Sequence, residues 1–364
     1  LFFFFQCVQA NNWDSEIVKT EHLKYNVNLF SDGYVIPWGM SFLPNGDLLV
    51  TDISGKIYRV DKTGNHKTLI EGVPKVFFRG QGGLLDIAIG TEFEKNKLIY
   101  FSYSDIFNQS SFTSVASGVL KQNKLIDLKI IYKAPIKYFS DSPYHFGSRV
   151  IVDREYIYFT IGDRGKMNDA QDISKPNGKI HRLLTNGLIP KNNPFKNQDG
   201  TINSIWCYGN RNPQGLAMDA QGNIWELEHG PKGGDELNII EKGKNYGWPI
   251  ITYGINYNGE IISDKTHNIG MEQPVWYWTP SIAVCGMQFY YGNMFDSWDG
   301  NILVTSLKFE YLMRLVIKNK KIIKNEIIYE PGSRVRDVEV GNDGSIYVAL
   351  EGPGRIVKLT RIID

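Results

Sequence analysis

WGMSFLPNGDLLVTDISGKIYRV, residues Trp38 to Val60, holds three short apolar runs separated by two turn signals. Trp38 to Phe42 and Leu48 to Thr51 flank Pro44-Asn45-Gly46-Asp47, and a third run, Lys56 to Val60, follows Gly55. An Asx-Gly pair between alternating runs is the strongest short-range hairpin signal, so the stretch reads as strand, turn, strand, turn, strand. Related units begin near Gly83, Gly147, Pro213, Gly286 and Val335, which makes six. The last of them closes with Asn342-Asp343-Gly344 and the runs Ser345 to Val348 and Gly354 to Leu359. Four-stranded sheets repeated at this scale are propeller blades. The expected fold is all-β, a six-bladed propeller of four-stranded antiparallel blades.

The unit spacing is irregular and wider than the roughly 40 to 45 residues of tidy propeller repeats. Long insertions are therefore expected between blades, notably Asn177 to Ser204 and Tyr246 to Pro280, rich in Asn, Pro, Gly and aromatics. Insertions gathered on one face build a binding surface. A helical turn is expected only near Phe107 to Ser117, and Lys318-Asn319-Lys320-Lys321 reads as a solvated hairpin turn.

Charge excludes one class of partner. Lysine plus arginine (40) nearly cancels aspartate plus glutamate (39), so no basic field is present to bind nucleic acid. Apolar residues at 42% and aromatics at 13% supply a large core and argue against disorder. Leu1 to Phe5 followed by Gln6-Cys7-Val8-Gln9-Ala10 reads as the end of a secretory signal, leaving 11–364 as one propeller domain, periplasmic or secreted. A lipid anchor at Cys7 is disfavoured by bulky Phe5 and Gln6 before it. Cys207 and Cys285 would then lie in an oxidising compartment where they could pair, although two buried free thiols is the default reading. No other apolar run approaches the roughly 20 residues of a membrane helix, so the mature chain is expected to be soluble, as a monomer or dimer.

The chemistry concentrates between Gly209 and Pro249, where an Arg-Asn pair, Gly-Pro-type turns and an Asp-Glu cluster share one turn-rich segment. A guanidinium can stabilise a developing oxyanion, turn carbonyls can hold a hard cation, and carboxylates can hold another. Gly80-Gln81-Gly82-Gly83 is glycine-rich but lacks the GxGxxG spacing of a dinucleotide site, and no His/Cys spacing supports zinc.

Taken in order, GQGGLLDIAIG (Gly80 to Gly90), HFGSR (His145 to Arg149), AQDISKPNGKIHRL (Ala170 to Leu183), GNRNPQG, EHGPKGGDELN, GKNYGWP and RVRDV resemble the soluble quinoprotein sugar dehydrogenases. These form the PQQ-dependent glucose/sorbosone dehydrogenase family, and the resemblance is closest to its aldose sugar dehydrogenase branch. It spans Pro37 to Leu359 and implies PQQ in a shallow cleft on the top face of a six-bladed propeller.

The resemblance carries roles to particular residues. His145 matches the general base for the anomeric hydroxyl, and Asp163, in Ile161 to Gly165, matches its orienting partner. Arg211 and Asn212 match the pair set against the quinone. Gln81, Lys308, Arg334 and Arg336 match residues around the anionic cofactor, whose three carboxylates call for cationic groups. Gly230 and Pro231 match main-chain ligands of a calcium ion that PQQ completes, and Glu236 with the main chain of Tyr246 matches a second, structural calcium. Asp235 lies near without an assigned role. His229 is expected behind the site, and His22, His66, His181 and His267 carry no role. The implied reaction is hydride transfer from the anomeric carbon of an aldose, giving a lactone, with electrons passed to an external acceptor.

Tyr144 stands where the glucose-specialist branch carries an acid, so sugar contacts must differ there, and Trp278 with Ser281 matches the cleft wall only loosely. Tolerance for several aldoses is expected. Two rivals share the fold: a PQQ-free propeller serving as a carbohydrate-binding or interaction module, and a calcium-dependent lactonase with its metal on the central axis, ligated by side chains from several blades.

Overall fold

The computed structural model describes residues 15–21 and 23–362, so the signal-like segment Leu1 to Ala10, Cys7 and His22 lie outside the described residues. Six sheets are arranged in a ring. Their innermost strands are Pro37–Phe42, Leu84–Ile89, Val150–Asp153, Pro213–Met218, Val284–Phe289 and Val335–Val340. Blades 1 to 5 span 37–70, 84–132, 150–208, 213–278 and 284–329, each a four-stranded antiparallel sheet in chain order. Every unit start read from the turn pattern falls within a few residues of an inner strand.

Blade 6 closes the ring. Its strands Val335–Val340, Ile346–Leu350 and Arg355–Arg361 are joined by Lys24–Asp32, in antiparallel register from Tyr25 opposite Arg361 to Asp32 opposite Arg355. Glu16–Lys19 adds a fifth strand outside it. Pairing an early strand with a late one ties the two ends of the chain together by main-chain hydrogen bonds and so fastens the ring.

The Trp38–Val60 stretch folds as its turns dictate. Gly46 takes φ 87° between the strands Pro37–Phe42 and Leu48–Asp52, and the latter is wholly buried because both its faces pack against neighbouring blades. Gly39 serves packing instead. A Cβ there would meet Asp86 Oδ1 at 2.6 Å, and one at Gly286 would meet Asp337 Oδ1 at the same distance. Those glycines let adjacent inner strands approach closely round the axis. Inner strands of five blades also carry a register shift near their first residues, between Pro37 and Gly39, Leu84 and Ile87, Pro213 and Gly215, Val284 and Met287, and Val335 and Asp337. Bulges of this kind re-aim side chains beside active sites.

The axis is plugged by Arg149. Its guanidinium binds Asp86 Oδ1 at 3.1 Å and Asp337 Oδ1 at 2.9 Å, donates to Gln214 O at 2.6 Å, and lies 4.6 Å from the Trp38 ring centroid. Strands or strand-leading residues of five blades are thus joined through one buried cation.

Two expectations are corrected. Phe107 to Ser117 is not helical: Leu98–Phe107 and Ser110–Lys121 form a long hairpin. Phe112, Thr113 and Val115 there are aromatic or β-branched and suit a pleated surface better than a helix. The long insertions sit within blades, not between them. Residues 185–204 join Lys179–Leu184 to the outer strand Ile205–Tyr208 of blade 3, and residues 241–275 join Asp235–Ile240 to the outer strand Trp276–Trp278 of blade 4. An outer strand borders solvent, so an insertion before it leaves the ring of inner strands intact. The Lys318 to Lys321 turn is as read, with Asn319 and Lys320 at φ 52° and 59°. Cys207 and Cys285 are buried free thiols.

Candidate active site

One end of the ring gathers the chain segments that enter the inner strands and those linking second to third strands. His145 lies just before the inner strand of blade 3 and Asp163 just after that blade's second strand, Tyr156–Ile161. His145 Nδ1 and Asp163 Oδ1 are 2.6 Å apart. The histidine backbone is left-handed at φ 55°, and its N–H donates to Gln81 Oε1 at 2.8 Å, while Gln81 N–H donates to Pro143 O at 2.9 Å. Gln81 therefore fixes the histidine's backbone. The imidazole Nε2 has no hydrogen-bond partner among the described residues.

Asp163 is held on all sides. Oδ1 also accepts from Gly165 N–H at 2.8 Å, Oδ2 accepts from Trp248 Nε1 at 2.9 Å, and the Asp163 N–H donates to Arg211 O at 2.8 Å. Burial pushes its carboxyl pKa up, but the His145 bond, Arg211 and the Gly165 amide together hold it below the ordinary value. His145 moves down as well. Burial disfavours its charged form and the Arg211 charge adds to that, against the opposing pull of Asp163.

Trp248 comes from the 241–275 insertion, which passes along the outer strand of blade 3: Tyr246 N–H donates to Tyr208 O at 2.8 Å and Trp248 N–H to Gly209 O at 2.9 Å. Its indole reaches Asp163 and lies 5.4 Å from the Arg211 guanidinium carbon. The GKNYGWP run carried that signal, but its partner could not be read from it.

Arg211 Nη1 donates to His229 O at 3.0 Å and Gly230 O at 3.1 Å, and its backbone N–H binds Glu228. Asn212 is buried, and its Oδ1 accepts from Gly147 N–H at 3.1 Å, bracing the loop that carries His145. Arg334 and Arg336 share one carboxylate, with Arg334 Nε to Glu351 Oε2 at 2.6 Å and Arg336 Nε to Glu351 Oε1 at 2.7 Å. Arg336 also reaches Gln214 Oε1 at 3.3 Å, while Asp337 pairs with Arg149 and not with its sequence neighbour. Lys308 is exposed, without a carboxylate partner among the described residues. Set against Glu351 and Asp163, Arg211, Lys308, Arg334 and Arg336 leave a surplus of two positive charges, which suits an anionic cofactor such as PQQ.

Behind Arg211, Glu226 and Glu228 are buried, with Glu236 half-buried close by. Burial raises all three, Glu228 to about 7, and Glu226 Oε1 has no partner. A cavity of about 10 Å³ is lined by Glu228, Gly230, Glu236 and Tyr246 among others. It has room for about one water-sized particle. No group of three His, Cys, Asp or Glu side chains among the described residues is arranged to hold a metal, so an ion there would need main-chain oxygens as well, which calcium accepts. Gly230 N–H donates to Asp235 Oδ1 at 2.8 Å, which fixes the Gly230-Pro231 turn and gives Asp235 a structural role. His229 is half-buried behind the site, its Nε2 inaccessible and unpartnered and its pKa pushed down to about 3 by desolvation.

The residues expected in the cleft wall separate. Tyr144, 56% exposed, stands open beside His145, with its carbonyl bound by Arg164. Trp278 is buried in the core between blades 4 and 5, and Ser281 Oγ donates to Asp235 Oδ1 at 2.7 Å, so neither offers a face to a sugar. The exposed aromatic there is Tyr277, stacked on Tyr253 at 3.8 Å. Strand alternation puts Tyr277 and Trp278 on opposite faces, which a run of aromatics in sequence conceals.

The family model described as Glucose / Sorbosone dehydrogenase matches residues 34–358. Aldose sugar dehydrogenase YliI of Escherichia coli is 37% identical over 345 residues, covering 92% of each chain. The crystal structure of the soluble aldose sugar dehydrogenase from Escherichia coli in the apo form superposes with a TM-score of 0.89 at 36% identity, over 93% of this chain and 100% of that one. The PQQ-bound aldose sugar dehydrogenase from Streptomyces coelicolor gives a TM-score of 0.74 at 25% identity, over 93% and 99%.

Proposed function

The chain belongs to the glucose/sorbosone dehydrogenase family, and as such an oxidoreductase of sugars we propose that it oxidises aldoses at the anomeric carbon to lactones, using PQQ and calcium. The observation that carries this reading is the His145–Asp163 pair at 2.6 Å, which leaves His145 Nε2 without a partner next to the Arg211 site.

His145 takes the proton of the anomeric hydroxyl at Nε2. Asp163 accepts from Nδ1–H, which sets the tautomer that leaves Nε2 basic and then stabilises the imidazolium. Because burial and Arg211 keep the imidazole neutral below its ordinary pKa, the base is available at neutral pH. Gln81 and Asn212 hold the backbone on either side of the ring. Bound PQQ would supply the acceptor for the hydride leaving the anomeric carbon, with calcium as Lewis acid. Arg211, Lys308, Arg334 and Arg336 would hold the cofactor's carboxylates, the Gly230 and Pro231 carbonyls one calcium, and Glu236 with the Tyr246 main chain a second. Tyr144 is the open side chain placed to meet the sugar. An external acceptor completes turnover, and the signal-like composition of Leu1 to Ala10 favours a periplasmic or secreted setting.

The axis argues against the lactonase alternative. The guanidinium of Arg149 already sits between Asp86 and Asp337, where a lactonase of that design would need its metal. A positive charge there repels a cation. The test is reconstitution: the chain prepared without cofactor is given PQQ and calcium, and aldose-dependent dye reduction is followed. Activity that requires both additions is expected; inactivity across aldoses with no PQQ bound would overturn the reading in favour of a binding module.

A further inference from the structure

Arg164 is a cation buried without an anion. It is 1% exposed, and among the described residues no carboxylate lies within ion-pair distance of its guanidinium, whereas buried Arg149, Arg314 and Arg336 each pair with one. The carboxylate of its neighbour Asp163 is already taken by His145, Gly165 and Trp248. Arg164 Nε has no hydrogen-bond partner, and the guanidinium carbon stands 3.5 Å from the Phe146 ring centroid. Burial pulls its pKa from 12.5 down to about 9, so the group stays charged at neutral pH. Burying an unpaired charge is costly, and a neutral donor would staple a loop at lower cost.

What the guanidinium holds is the segment that delivers the candidate base. Nη1 donates to Tyr144 O and Nη2 to Ser142 O, with a further bond from Nη2 to Ser111 Oγ at 3.2 Å. Between those two carbonyls, Pro143 O accepts from Gln81 N–H at 2.9 Å. Three successive carbonyls before His145 are thus fixed, two of them by Arg164. Asp163 and Arg164 therefore grip the base twice, the carboxylate at its ring and the guanidinium at the main chain before it. Phe146, the residue after the base, lies against the same guanidinium. His145 and Arg164 both have left-handed backbones, at φ 55° and 56°. Such conformations are uncommon outside glycine and persist where surrounding bonds over-determine them.

We propose that Arg164 is a positioning residue for aldose oxidation: its fork sets the main chain of Tyr144 and His145, so that Nε2 is presented to the sugar, and its unpaired charge opposes protonation of the ring. The role rests on the reading of His145 as the base. The charged and titratable groups acting on that ring are Asp163 and Arg164 from the turn after Tyr156–Ile161, Arg211 from the segment before Pro213–Met218, and His229 from the segment after Ile224–Glu228. Asp163 favours the imidazolium and the two arginines disfavour it.

Two variants separate charge from fork. Arg164→Lys keeps the charge and loses the planar fork, while Arg164→Gln loses the charge and keeps an N–H donor. NMR of the histidine-labelled, cofactor-free chain follows the His145 ring through pH, its signal being the one missing from His145→Ala. The His145 pKa should rise in Arg164→Gln and stay at the parent value in Arg164→Lys. With PQQ and calcium supplied, kcat should fall by about tenfold or more in both variants, because a small misplacement of a reacting group is enough, and the acid limb of kcat/KM should move up only in Arg164→Gln. An unmoved His145 pKa in Arg164→Gln overturns the electrostatic half of the role. Full kcat in Arg164→Lys overturns the positioning half, and does so even where Arg164→Gln fails to fold. A parent chain that binds PQQ yet oxidises no aldose would count against the proposed activity instead, and the NMR comparison would still decide whether Arg164 acts on His145.

Discussion

Trp248 Nε1 donates a 2.9 Å hydrogen bond to Asp163 Oδ2, joining an insertion of blade 4 to the carboxylate that orients the candidate base in blade 3. The other oxygen of Asp163 serves His145 and Gly165. The carboxylate cannot rotate without breaking a bond at each end, so the histidine's direction depends on a residue 85 positions further along the chain.

Trp248→Phe keeps an aromatic body and removes that donor. A buried carboxylate oxygen left unpaired costs about 1–3 kcal/mol, and the freed carboxylate should orient His145 less well. Turnover is expected to fall roughly tenfold, with a modest loss in Tm. Steady-state kinetics showing an unchanged kcat would remove Trp248 from a positioning role.

His145→Ala should bind PQQ as the parent does while oxidising sugar at least about a hundredfold more slowly, the scale of a lost general base. In the parent, the acid limb of kcat/KM should fall below the ordinary histidine pKa of 6.5, because burial and Arg211 lower the pKa of His145 and the base must be neutral to act. An acid limb centred above 6.5 would contradict this placement.

Stability should depend on pH through His181. Its ring is fully buried, stacked on Phe159 at 5.1 Å and bonded to Ser204 Oγ and Pro176 O, and burial lowers its pKa from 6.5 to about 3. Between those values the unfolded chain binds the proton and the folded chain does not, so stability is lost as pH falls from about 6.5 towards 3. His181→Gln should be less stable at pH 7.5 yet lose less between pH 7 and 5. Denaturant titrations at several pH values measure this, and parallel losses in both proteins would rule it out.

Calcium should raise the Tm of the cofactor-free chain by a few degrees, since an ion that binds only the folded state adds about 2.7 kcal/mol at a hundred times its Kd. Glu236→Gln should abolish or sharply reduce the shift, because Glu236 lines the small cavity beside Glu228. Calorimetry with calcium and then with chelator provides the check; the same shift in both proteins would place the ion elsewhere.

Arg149→Met would leave Asp86 and Asp337 facing each other at the axis without their cation. Breaking a buried ion pair from one side costs about 3–5 kcal/mol. Equilibrium unfolding should report a loss of that order, and a change under about 1 kcal/mol would show that the axis tolerates the two carboxylates alone.

Local chemistry made much of this legible in the sequence. Asn45-Gly46 and its counterparts mark turns by their own conformational preferences, so the six blades and their inner strands follow from the chain. Individual site residues, among them His145, Asp163 and Arg211, could be named because HFGSR, Ile161 to Gly165 and GNRNPQG resemble the family's runs. What the residues at a distance do to one another was decided only in three dimensions. The Lys24–Asp32 strand carries no mark of the blade it closes, since main-chain pairing is indifferent to separation along the chain. Arg336 precedes Asp337, yet it binds Glu351 while Asp337 binds Arg149, because alternate residues of a strand face opposite ways. Trp278 is buried and Tyr277 exposed for the same reason. Sequence determines which groups are available and where the backbone turns; closing six sheets into a ring determines which of those groups are desolvated together, and desolvation sets their partners and pKa values.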